Sequence, residues 1–483
     1  MFDKFIFNRF EYASLQKKFN STKLFNQTKI IIPIRAVFPF DNSVEDDFYH
    51  YAEHYRIRPL ECEKCDGDVD NPYYLYTEQV IREINNGIKD RANTLDWSLF
   101  YLYKELIQRF ILQENDESGR LPRSFNYYRG QENNWILKPG IFRVPGTRFI
   151  NEFENLYKSL AEDYPEKIKY FSYFENKEKR ATALGVLQHY GFKTSLVDIT
   201  ENPFVAMLFM LDNKKRYVIG KKNSADNSDL EISVFGSKTL DMFAIDEDKD
   251  ATCNIFTKVF HTEINKRIAA QKGSFFFYDK LFDLKKRNIE KIPRITIELK
   301  YDYEYSKSVI EDRISERERD LVKLKAAILP YQKSAERTKK SILQTAEAKE
   351  ALEKRISEDS NIENSDLGKK DPRIRSLAKE RKKLISKSAD LIDKSKELIR
   401  ESQGEFARNQ DLIENLEHLI QQEIKNLEKF LEQIHDGGAV TSRIMDEIEF
   451  QLSSKLGEYH YYRKDLFPDF VDRLAYIQQD YVD

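Results

Sequence analysis

The sequence predicts an α+β protein interrupted by a long helical insertion. Three observations carry this: short runs that alternate apolar and polar residues, amphipathic helical runs between them, and a charged, glycine-poor stretch with apolar residues every seven positions. At 483 residues the length predicts two or three structural units. The net charge of −3 comes from 79 basic and 82 acidic side chains, which excludes the global excess of a nucleic-acid or membrane-surface binder. The opening MFDKFIFNRFEYASLQ mixes charges into its apolar run and has no signal-peptide h-region, and no window approaches 18 uninterrupted apolar residues. A cytoplasmic protein with no membrane partner is expected. Cys62, Cys65 and Cys253 are too few for a disulfide framework in a chain of this size.

Residues 1–115 read as an α/β extension, with a strand in KIIIPIRAVF (Lys29 to Phe38) and a helix in LDWSLFYLYKELIQRFILQ (Leu95 to Gln113). His50, His54, Cys62 and Cys65 place four zinc-type ligands within sixteen residues. Their order reverses that of the familiar zinc-finger ligands and is not an established signature; were zinc bound, four filled positions would make it structural.

Residues 116–305 hold the first part of the main α+β domain. FNYYRGQ ends an aromatic strand, where alternation puts Arg129 and Gln131 on one face and leaves an accessible guanidinium suited to a phosphate or carboxylate. KEKRATALGVLQHYGF reads as a helix stopped by Gly191, and FKTSLVDI as a strand with Thr194, Leu196 and Asp198 on one face. Asn202 followed by Pro203 marks the cap and first turn of a helix in PFVAMLFML. Polar side chains thus gather where a strand hands over to a helix, with Gln188 and His189 beside them. Capping alone accounts for Asp198 and Thr200, and a hydrogen-bonded core position for His189; a binding site accounts for all of them together. Further strands are expected in EISVFG (Glu231 to Gly236), after Gln271 and Gly273 in RIAAQKGSFFFYD, and in RITIELKY (Arg294 to Tyr301).

Residues 306–435 read as an antiparallel coiled-coil insertion. One heptad series runs Ile314, Leu321, Ile328, Ala335, Ile342 and Ile356, with Leu324, Tyr331 and Leu352 offset by three. A second runs Leu377, Leu384, Leu391, Leu398 and, after a one-residue slip, Phe406, Ile413, Ile420, Leu427 and Ile434. The polar break from Ser357 to Pro372 is expected to end in a helix stopper, and Pro330 to kink or break the first arm. Each arm of about 50 to 60 residues would span roughly 75 to 95 Å. Residues 436–483 regain a globular texture but are too short to form a core, so they are expected to complete the first domain.

These pieces, in this order, resemble the FRG domain family: YYRGQ, then W-x-L-x-P-x-I-F-R (Trp135 to Arg143), QHYG-x-x-T-x-L-x-D-x-T-x-N-P-x-V-A (Gln188 to Ala206), RI-x-A-Q-x-G-x-F (Arg267 to Phe275) and LFPD (Leu466 to Asp469). Ser195 and Ile199 stand where that family usually has arginine and tryptophan. The resemblance implies an ADP-ribosyltransferase-like mixed sheet and an enzyme that takes NAD as substrate and modifies a macromolecular acceptor, protein or nucleic acid. It also implies a toxin, toxin–antitoxin or anti-phage defence setting, with an antitoxin-like regulatory partner or self-association on the helical arm. In that frame Tyr128, Arg129, Gly130, Gln131, Gln188, Thr194 and Thr200 would bind the dinucleotide. Arg129, His189, Asp198, Thr200 and Gln271 would serve the chemistry, with Glu298 an alternative to Gln271. The other reading is a non-catalytic module that binds a nucleotide or phosphorylated ligand and signals through the arm.

Overall fold

The computed structural model describes residues 24–40, 54–64, 71–90, 99–111, 122–146, 148–172, 176–211, 237–259, 269–281, 289–364, 371–434 and 439–466. The described residues of 1–306 and 433–483 form one compact unit, and 307–432 form a second.

The first unit is α+β, built on one mixed sheet. Its strands are β1 (Phe25–Ala36), β2 (Tyr55–Ile57), β3 (Glu61–Lys64), β4 (Tyr127–Gln131), β5 (Leu196–Thr200), β6 (Lys238–Phe243), β7 (Phe256–Thr257), β8 (Gly273–Phe277) and β9 (Ile292–Tyr301). Their spatial order is β2-β1-β9-β6-β4-β5-β8-β7, with β3 also on β1. Among the described strands β1 and β9 are the one parallel pair, in register from Phe25↔Ile292 to Ile34↔Tyr301, and the other pairs are antiparallel. Both strands are rich in β-branched residues and are buried along most of their length, as central strands covered on both faces must be. The expected strand at Glu231 to Gly236 lies outside the described residues, as do Arg267 and the end of the LFPD motif.

The helices of this unit are α1 (Pro72–Asp90), α2 (Leu99–Arg109), α3 (Arg148–Asp163), α4 (Lys177–His189), α5 (Pro203–Met210), α6 (Glu247–Cys253) and α9 (Ala439–Glu458). One aromatic-rich core joins Tyr127, Phe243, Phe256 and Phe276 of the sheet to Phe153 and Tyr157 of α3 and Leu184 and Leu187 of α4. Inside it the fully buried Arg180 is neutralised by Asp279 (Nε to Oδ2, 3.0 Å) and Glu154 (2.8 Å). Elsewhere α5 lies against β4 and meets α2 and α9 through Phe100, Phe204 and Tyr459. The segment after 432 is built into this unit: Glu449 accepts from the buried Lys238 at 2.6 Å, Gln451 from Tyr55 at 2.8 Å, and Glu447 pairs with His54 at 2.8 Å. Among the described residues no helix is long and apolar enough to cross a membrane.

The second unit consists of most of α7 (Tyr303–Asn364) and α8 (Pro372–Ile434). They run antiparallel, tied by Arg317–Glu423 (3.0 Å), Lys325–Glu417 (3.0 Å) and Lys349–Asp393 (2.5 Å). On α7 the half-buried positions Ile314, Leu321, Leu324, Ile328, Ala335, Ile342, Leu352 and Ile356 follow the heptad series read from the sequence.

Three expectations need correction here. Pro330 does not break α7, which continues through it, because one lost backbone bond is a small fraction of a 62-residue helix. Pro372 starts α8 rather than stopping a helix: Asp371 Oδ1 accepts from the Arg373 N–H at 2.9 Å, so Asp371 caps and Pro372 fills the first turn. The third concerns the seam. Leu377, Leu384, Leu391 and Leu398 are 67, 66, 67 and 67% exposed, while Ala378 and Ile385 are buried and Ile392 and Ile399 half-buried. The inward series therefore runs Ala378, Ile385, Ile392, Ile399 and on to Ile413, Ile420, Leu427 and Ile434 in unbroken heptads, with no one-residue slip.

Candidate functional site

The site is built where β4 and β5 part. Along its five residues β4 pairs with β6, and β5 pairs with β8 from Leu196↔Phe277 to Thr200↔Gly273. Between β4 and β5 a single pair is made, Tyr128↔Thr200. Beyond it the Arg129 guanidinium bridges the gap, its Nη1 donating to the Asp198 carbonyl at 2.6 Å. A side chain thus satisfies a carbonyl that a continuous ladder would have paired. Burial pulls the Arg129 guanidinium below its ordinary value, opposed by the Asp198 and Asp241 carboxylates. It remains a cation, because arginine titrates far above neutrality.

The strands are held in this arrangement by α5 on one side and a buried ion pair within the sheet. A Cβ on Gly130 would stand 1.7 Å from the Ala206 carbonyl oxygen of α5, so only glycine allows the helix to lie this close. The start of α5 is fixed by Asn202, whose side-chain oxygen accepts from the Phe204 and Val205 N–H groups. Asp241, the register partner of Arg129 on β6, is held by Arg294 Nε and Nη2, each at 2.9 Å, and by the Thr296 hydroxyl at 2.7 Å. Two carboxylates thus lie near Arg129, but Asp241 is already neutralised.

A cavity of about 260 Å³ opens at this junction. It is lined by Tyr128, Arg129, Gly130, Gln131, Gln188, His189, Asp198, Thr200 and Gln271, all read from the sequence. Within it Gln188 is a fixed clamp: its Nε2 donates to the Asp198 Oδ2 at 2.7 Å while its Oε1 accepts from the Thr194 hydroxyl. Thr194 is buried before the start of β5 and does not line the cavity; it acts through Gln188 and accepts from the Leu196 N–H at 3.3 Å. The Thr200 hydroxyl is committed twice, donating to the Gln271 carbonyl at 2.6 Å and accepting from the Asn202 N–H at 3.0 Å. Gln271 Nε2 donates to the Leu466 carbonyl at 3.2 Å and Gln131 Nε2 to the Trp135 carbonyl at 3.0 Å. Asp198 is the exposed residue of its strand, so its carboxylate faces the cavity while its backbone carbonyl meets Arg129. Tyr128 is pushed up to about 12 by burial and stays a neutral phenol.

Sequence reasoning did not assign Glu132, Trp135, Arg143, Gly185, Ile199, Phe209, Gly273 and Phe275 to the site, and these complete the lining. Arg143 had a signal, since it closes the W-x-L-x-P-x-I-F-R motif; its Nε donates to the Lys138 carbonyl at 3.0 Å. Glu132 follows Gln131 directly and had none. Glu298 does not line the cavity: it is buried, and accepts from Ser237 at 2.7 Å, Asn134 at 3.2 Å and Lys29. Ser195 is buried and its hydroxyl has no hydrogen-bond partner among the described residues.

Of the four candidate zinc ligands, the described His54 and Cys62 do not line this cavity. His54 Nδ1 pairs with Glu447, Cys62 is half-buried on β3, and His50 and Cys65 lie outside the described residues. No group of three or more His, Cys, Asp or Glu side chains that could hold a metal ion occurs among the described residues.

Chemically, the cavity offers two guanidinium groups, the carboxylates of Asp198 and Glu132, an imidazole, amides and aromatic walls. Forked cations recognise phosphoryl or carboxylate oxygens, and aromatic faces take a planar ring. No curated protein and no solved structure matches this chain. Residues 124–218, which contain Arg129, the Gln188–Asp198 clamp and Thr200, match the model of the FRG domain family.

Proposed function

We propose that the cavity binds NAD and that the protein is an ADP-ribosyltransferase-like enzyme acting on a macromolecular acceptor. The observation that carries this reading is Arg129, which spans the gap between β4 and β5 and brings a guanidinium to a cavity that also holds a clamped Asp198. Arg129 and Arg143 would take the pyrophosphate, and Trp135 or Phe275 a planar ring. Breaking the nicotinamide–ribose bond proceeds through an oxocarbenium-like state, which orientation and a nearby negative charge stabilise more than a strong base does. Asp198 is that charge in this reading, and Gln188 fixes its orientation. A volume of about 260 Å³ suits one half of the dinucleotide, with the other half over the rim.

One observation favours the non-catalytic alternative. The single O–H donor of Thr200 is already used within the protein and its oxygen already accepts once, and one N–H of the Gln271 amide is engaged by the Leu466 carbonyl. A nucleotide-binding module needs neither to be free. Incubation with NAD, alone and with cell lysate, separates the two: nicotinamide release that Arg129→Lys and Asp198→Asn each abolish supports the enzyme. Saturable NAD binding without turnover supports the module, and absence of both refutes the assignment to NAD.

A further inference from the structure

The second unit carries an apolar surface that its own hairpin does not use. Leu384 precedes Ile385 by one residue, and one residue is about 100° of helix rotation, so the leucines face outward while the isoleucines turn toward α7. Leu377, Leu384, Leu391 and Leu398 are each about two-thirds exposed, and they repeat every seven residues over about 32 Å of helix. Scattered exposed leucines need no explanation, but a heptad row of four is the seam of a coiled coil without its partner.

The residues flanking this row specify what covers it. Three positions after each leucine stand Glu380, Lys387, Lys394 and Glu401, with Arg373 one heptad earlier, and all five are exposed. Placed against itself antiparallel about Lys387, this edge sets Arg373 opposite Glu401 and Glu380 opposite Lys394, each pair occurring twice by symmetry. Lys387 alone meets its own kind. A parallel arrangement would set this edge against the partner's opposite flank, which carries Arg381 and otherwise serine, and would leave most of the five charges without a counter-charge. On the other flank, four positions after the leucines, stand Arg381 and then Ser388, Ser395 and Ser402, and the three small serine side chains admit a close approach. An edge complementary to its own reverse is what a two-fold, isologous contact requires.

We propose that the Leu377–Leu398 face of α8 is the interface between two copies of this chain, packed antiparallel about Lys387. The contact is independent of the chemistry assigned to the cavity, since none of its residues line that cavity. With the hairpin's own seam it makes a four-helix contact in which the leucines of one copy fill the spaces beside Ser388 and Ser395 of the other. Its register is set by the charged edge.

The test uses the full-length protein with Cys62, Cys65 and Cys253 changed to Ser. Light scattering across the micromolar range is expected to give a dimer that Leu384→Ser/Leu391→Ser converts to a monomer of unchanged helicity. Glu380→Lys is expected to raise the dissociation constant about tenfold, and Glu380→Lys/Lys394→Glu to restore it. Lys387→Cys is expected to form a disulfide-linked homodimer. Glu401→Cys should cross-link with Arg373→Cys in a mixture but not with itself. Should the double serine variant lose helicity, the charge swap decides. A monomeric parent protein, a dimer that survives the serine or charge-reversal variants, or self-linking of Glu401→Cys as ready as that of Lys387→Cys would overturn the proposal.

Discussion

Replacing Gly130 by alanine tests how the site is held together. The added Cβ would lie 1.7 Å from the Ala206 carbonyl oxygen and 2.8 Å from both the Ala206 carbonyl carbon and the Met210 nitrogen. All three atoms are backbone of α5, so no side-chain rotation relieves them. The helix would have to retreat until that first contact exceeded 3.0 Å, taking Asn202 and the buried Ala206, Met207 and Met210 with it. Reduced freedom of the unfolded chain favours alanine by up to about 1 kcal/mol. Overpacking against a rigid neighbour opposes it by about 3 kcal/mol or more, so the net expectation is a loss of about 2 to 3 kcal/mol. Trp135 lies in this unit and lines the cavity, so denaturant unfolding followed by tryptophan fluorescence reports it. A midpoint within 0.5 kcal/mol of the parent, with nucleotide binding intact, would show that α5 does not rest on β4 as described.

Three other substitutions have defined signs. Asp279→Asn removes one of the carboxylates that neutralise the fully buried Arg180 while Glu154 stays paired with it, and is expected to cost about 3 kcal/mol by the same unfolding measurement. Ser195→Ala removes a buried hydroxyl with no partner among the described residues, so it should leave stability unchanged or raise it by up to about 1 kcal/mol; a clear loss would reveal a bond to this hydroxyl. Burial depresses the Lys280 ammonium to about 8 from 10.5, so between these values the unfolded chain binds more protons than the folded one. The penalty is complete below pH 8 and relieved as pH rises toward 10.5, worth about 3 kcal/mol in all. The parent protein should therefore gain stability relative to Lys280→Met over that window, and a constant difference would rule out the shift.

Local chemistry was readable where a few adjacent residues decide the outcome. Asn202 and Pro203 mark the start of α5 because an Asx cap and a fixed proline φ act within one turn, and β9 is visible because its alternation and β-branched content are its own. The same cap logic, applied to Asp371 and Pro372, identifies the start of α8. Reading that proline as a stopper ignores the residue before it. The seam of α8 was not decidable from periodicity, since two apolar heptad rows run one residue apart and both satisfy the repeat. Which one turns inward depends on the register against α7.

The site was legible in composition and not in construction. Arg129, Gln188 and Asp198 are adjacent only because β4 pairs with β5 at one point and then diverges, a property of two strands some seventy residues apart. The parallel pairing of β1 with β9 spans more than two hundred residues, so no window holds its signal. Gly130 illustrates the difference. Its place beside Arg129 suggests contact with a ligand, whereas its Cβ direction shows that close packing of α5 requires it.

The most direct measurement is photolabelling of the full-length protein with an azido derivative of NAD, followed by peptide mapping. Saturable label on the peptides around residues 128–143 and 185–200, displaced by unmodified NAD and lost in Arg129→Lys, is the predicted result. Label confined to other segments, or undiminished by excess NAD, would contradict a dinucleotide site between the fourth and fifth strands.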